Sequence, residues 1–173
     1  MVKRITFSAI CLALTVIFLY AASALSTGKL AVLGLSSLLC GICVSMHGVR
    51  YGIALYIGAS LLSLLLLPNK MFALLYVLFA GHYPIVKLYI EKINKLIPEW
   101  ILKILFFNLI LTVIYIIAKT FFVSTLTNVT ILLVMKYLWL AILILQVIFC
   151  LYDWMLSYMI GYFHQFLRRI QHD

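Results

Sequence analysis

Most of the charged residues of this chain are gathered into short gaps, and between the gaps it runs mainly apolar for about twenty residues at a time. The first run, Ile5 to Leu25, carries no charge at all. Five more follow, at 30–46, 51–67, 71–90, 99–123 and 131–154. A helix of about twenty apolar residues crosses the hydrocarbon core of a bilayer, where each backbone N–H and C=O must be bonded within the segment. The pattern predicts an all-α, polytopic integral membrane protein in the lipid bilayer. Its 173 residues form a single membrane domain, 1–173, folded as a six-transmembrane-helix bundle.

Composition agrees. The chain is 67% hydrophobic and 10% charged, against roughly 45–50% and about 25% in soluble domains. Its formal charge of +9 comes from 13 Lys+Arg against 4 Asp+Glu. In a soluble chain such an excess would point to nucleic acid. Here it reads as basic residues flanking membrane helices, and no nucleic-acid-binding module fits in what remains. Cys11, Cys40, Cys43 and Cys150 all lie in apolar runs. Cys40 and Cys43 have the CxxC spacing but no second ligand pair, so buried packing is expected, with no disulfide framework, metal or cofactor.

Ala22-Ser23-Ala24 resembles a signal-peptidase site, but the run before it exceeds the 7–15 residues of a signal core. It reads as a retained first span, followed by a tight exit at Gly28. Counting Lys+Arg in alternate loops gives nine on one side: Lys3, Arg4, Arg50, Lys87, Lys92, Lys95, Lys103, Arg168 and Arg169. The other side holds four, Lys29, Lys70, Lys119 and Lys136. Both termini are therefore expected in the cytoplasm. Asn128-Val-Thr130 then falls outside and would be a glycan acceptor in a eukaryote.

The fourth run is broken by Gly81, His82, Tyr83 and Pro84. Pro84 has no N–H for the carbonyl of Ala80, so the helix should bend there. His82 beside the bend reads either as a hydrogen-bonded packing residue or as part of a site. On the outer side Asn69, Lys70, Tyr76, Lys119, Lys136 and Trp139 come from all three loops or their flanks. Each can be a snorkelling or interfacial residue; together with His82 they are the candidate lining of a small-solute pocket. On the last span Gln146, Asp153, Ser157 and His164 share a narrow arc. Asp153 needs a partner, and Arg50, Lys103 and Arg168 are available; a proton relay through His164 is the alternative. Ala9/Ala13, Ser37/Gly41/Ser45 and Ala54/Gly58 are small-residue notches at helical spacing, suited to close helix packing.

No catalytic signature is present: HExxH, GxSxG, the Walker motif and paired acidic motifs are all missing. The chain is not expected to be an enzyme. A compact six-span chain with both termini inside and an Ala9-x-x-x-Ala13 pair on span one resembles the substrate-binding S component of energy-coupling factor (ECF) transporters. The stretch PNKMFALLYVLFAGHYPIVKLYIEK is similar to uncharacterised bacterial membrane proteins of that group. The resemblance implies a multi-pass protein of the bacterial cytoplasmic membrane that binds a vitamin-like small molecule. It also implies docking through Ala9 and Ala13 to a transmembrane coupling subunit powered by an ATPase pair. The alternative is a non-catalytic six-span scaffold resembling the small subunit of the rod-shape cell-wall machinery.

Overall fold

The computed structural model describes residues 2–25, 27–93, 95–122 and 128–172, with side chains described except at 118–122, 128–139 and 164–172. It is all-helical, without strands among the described residues. The elements are α1 (Val2–Ala24), α2 (Lys29–His47), α3 (Val49–Leu66), α4 (Lys70–Leu75), a π-helical turn (Tyr76–Ala80), α5 (Tyr83–Glu91), α6 (Leu96–Phe122) and α7 (Asn128–His172). Among the described residues six segments are long and apolar enough to cross a membrane: Val2–Ala24, Lys29–His47, Val49–Leu66, Lys70–Glu91, Leu96–Ile117 and Leu140–Phe163. Two compact units make up the chain, one of Met1–Asn94 with Met155–Asp173 and one of Lys95–Trp154.

In the first unit the turns are set by residues whose backbones suit them. Gly28 sits at φ 73° before α2, and Gly48 at φ 93° separates α2 from α3. Both values favour glycine, because a Cβ there would crowd the following carbonyl. Asn69 caps α4, its side chain accepting from the Met71 N–H at 3.0 Å.

The core of this unit forms around α2, whose Ser36, Ser37, Cys40, Gly41 and Cys43 are all buried. Small side chains let neighbours close in. A Cβ on Gly41 would fall 2.7 Å from Ile160 Cδ1 and 3.4 Å from Pro84 Cβ. Cys11, Leu19, Leu55, Ala59 and Tyr76 complete the packed interior. Buried hydroxyls are satisfied locally, Thr15 donating to the Cys11 carbonyl and Ser36 to that of Leu33.

In the second unit α6 begins at Leu96, with Glu99 in its first turn, and Phe107 stacks on Phe149 of α7 at 4.3 Å between ring centroids. The outward faces of both units carry large apolar side chains, among them Ile17, Leu65, Leu105, Leu151 and Trp154, the last 68% exposed.

Candidate functional site

Where the sequence leads to a bend near Pro84, the helix carries the π turn and is interrupted at Gly81 and His82. Gly81 N–H donates to the Tyr76 carbonyl at 2.8 Å, five residues back, and Pro84 lies in the first turn of α5. Moving the Gly81 bond to Tyr76 releases the Val77 carbonyl from the ladder. That oxygen accepts instead from Tyr56 Oη at 2.9 Å and faces His82 Nδ1 at 3.2 Å. Ile85 N–H bonds His82 rather than Gly81, and the Gly81 carbonyl accepts from Cys40 Sγ at 3.3 Å. Tyr56 also meets the rings of Tyr76 and His82, at 6.4 and 5.9 Å. Tyr76 and His82 are thus brought together, Tyr76 fully buried and His82 half-buried.

Asn69 and Lys70 are exposed at the α3–α4 turn. Lys70 Nζ donates to the Leu64 carbonyl at 2.7 Å, closing the C-terminus of α3, where a cation is favoured. Lys29 stands over the Phe72 ring at 5.4 Å. Lys119, Lys136, Trp139 and His164 lie outside the residues whose side chains are described. Ala9 and Ala13 are exposed on α1, opposite the buried Cys11, Thr15 and Leu19. Of the other notches, Ser37 and Gly41 are buried and Gly58 faces Leu12.

In the second unit Asp153 Oδ2 lies 2.9 Å from Lys103 Nζ, which also bonds Glu99 at 2.8 Å. Lys103 is one of the three cations that the sequence offers to Asp153; Arg50 is exposed, and Arg168 lies outside the described side chains. Gln146, on the same helix, is half-buried. Glu99, in the first turn of α6, is the third member of the group. In the first unit Lys87, counted among the loop cations, is buried and paired with Glu91 at 2.9 Å. Its signal is the i, i+4 spacing on one helix face.

A cleft of about 360 Å³ opens between α6 and α7 within the second unit. Asn108, Thr112 and Tyr115 of α6 line it, with an apolar wall from Leu111, Ile142 and Leu145. Asn108 Nδ2 donates to the Ile104 carbonyl, and Thr112 Oγ1 to that of Asn108. The sequence reading does not single out Asn108 or Thr112, which share a helix face with Tyr115. Their i, i+4, i+7 spacing in an apolar run is the signal that would have found them.

Among the described residues no group of three or more His, Cys, Asp or Glu could hold a metal ion. No family model, curated protein or solved structure matches this chain.

Proposed function

We propose that this protein is a multi-pass membrane subunit, with both termini in the cytoplasm, that binds a small solute and depends on partner proteins for energy. The apolar side chains exposed along both units suit contact with lipid rather than water. Six segments of spanning length among the described residues support the same reading. On this reading the chain acts as the substrate-binding component of an ATP-driven uptake transporter of the ECF type, in the bacterial cytoplasmic membrane. It is not itself an enzyme.

The observation that carries the docking half of this reading is the orientation of α1. Cys11, Thr15, Leu19 and Ala22 turn inward, which leaves Ala9 and Ala13 as a shallow notch on the outer face. A notch of two alanines one turn apart lets another helix approach closely in lipid, where close contact is a main source of association energy.

A non-catalytic scaffold is the second reading, and the α3–α4 turn favours it. Asn69 and Lys70, both candidate solute contacts, direct polar atoms to the turn's own backbone. The experiment that separates the two is affinity capture of the tagged full chain from its native membranes, with mass spectrometry of proteins and small molecules. Recovery of a coupling subunit with two ATPases supports the transporter. Recovery of cell-wall synthesis proteins without ATPases rejects it in favour of the scaffold.

A further inference from the structure

We infer that the α6–α7 cleft is a binding site for a neutral amphiphile, a short apolar chain bearing uncharged hydroxyl or carbonyl groups. This names the ligand class of the solute-binding subunit and rests on that reading.

The argument starts from the polar groups. Asn108 is twelve residues into the segment Leu96–Ile117, about 18 Å along the helix axis and close to mid-depth. Thr112 and Tyr115 continue the same face toward its C-terminal end. Among the described residues nothing donates to Asn108 Oδ1, and the Tyr115 hydroxyl has no hydrogen-bond partner. In hydrocarbon such groups are costly unless something supplies the missing bonds. An amide oxygen, a threonine oxygen and a phenol within one cleft ask for a ligand that both donates and accepts.

Size and charge narrow the occupant. A volume of about 360 Å³ lies at the lower end of the roughly 300–1,000 Å³ typical of small-molecule sites. Among the described residues no charged side chain lines the cleft, so an ionic headgroup would lack a counter-charge from them. An uncharged head with a short chain along Leu111, Ile142 and Leu145 satisfies both walls.

The test uses the full chain in phosphatidylcholine nanodiscs and a mono-octanoylglycerol probe carrying a diazirine in its chain. The expected result is saturable photolabelling of peptides containing 108–115 and 141–145. Unlabelled mono-octanoylglycerol should compete, whereas octanoate and octyltrimethylammonium should not. Asn108→Leu with Thr112→Val should cut that labelling about tenfold, the loss of roughly one to two hydrogen bonds. Ala141→Trp, at an exposed position, should abolish it by filling the cleft, with helical circular dichroism unchanged. Saturable labelling on other helices, indifferent to these variants, overturns the cleft assignment and leaves the solute-binding reading standing. Labelling that never saturates overturns the ligand class. Cleft labelling by a protein whose capture recovers no ATPases keeps the cleft and removes the transporter.

Discussion

Lys103 Nζ lies 2.9 Å from Asp153 Oδ2, and neither side chain is more than 4% exposed. Lys103 is seven residues into its spanning segment, about 10 Å along the helix. Removing one member of such a pair strands the other in a medium that solvates it poorly. Lys103→Met is expected to destabilise the protein by about 3–5 kcal/mol, and Asp153→Leu by a similar amount. The double variant should cost less than the sum of the two, because neither residue then strands the other, although Glu99 still loses Lys103. Unfolding of the detergent-solubilised protein, run as a double-mutant cycle, measures this. Additive losses would show that the two residues do not depend on each other.

The Val77 carbonyl has two side-chain partners, Tyr56 Oη and His82 Nδ1. Tyr56→Phe should therefore cost only about 1 kcal/mol, since His82 still serves the oxygen. His82→Phe should behave the same way. Together they orphan a carbonyl in the protein interior, and the loss should exceed the sum of the singles. The readout is again unfolding, with hydrogen exchange of the Tyr76–Ala80 amides as a local probe. Strict additivity would mean that the π turn does not need these side chains.

Glycines on two helices give a paired prediction. A Cβ on Gly81 would lie 2.6 Å from Tyr56 Cδ2 and 2.8 Å from Tyr76 Cε1, whereas one on Gly161 meets nothing within 4 Å. Gly81→Ala should destabilise by about 1–3 kcal/mol, since buried rings cannot yield cheaply. Gly161→Ala should be neutral or stabilising by up to about 1 kcal/mol, as an alanine in a helix interior. Thermal unfolding of the two variants side by side reads the difference. Equal effects would argue against the close ring packing at Gly81.

The spanning helices were legible because hydropathy over twenty residues is a local property. Pro84 likewise marked a break in the helix, since its missing N–H belongs to the residue itself. What kind of break could not be read: the π register depends on Tyr56 and Cys40, far away in sequence, taking up the released carbonyls. Asp153 offered several partners because spacing along one helix says nothing about the facing helix. The burial of Lys87 could not be read from its own helix, although its partner Glu91 lies there. Asn108 and Thr112 carried a helical spacing that was visible but lost among stronger apolar signals.

The faces of α1 and α3 make the last prediction. Ala9 and Ala13 are exposed, while a Cβ on Gly58 would approach Leu12 Cδ1 to 2.5 Å. All three positions are small, yet only Gly58 lies at a contact inside the fold. Ala9→Trp with Ala13→Trp should leave the isolated protein within about 0.5 kcal/mol of the parent, as for exposed positions generally. Gly58→Leu should cost about 1–3 kcal/mol by overpacking against Leu12. If the α1 notch is the docking face, the double tryptophan variant should also lose its partners in affinity capture while keeping its saturable ligand labelling. Unfolding of that variant would make the notch internal packing, and full recovery of partners would move the docking face elsewhere.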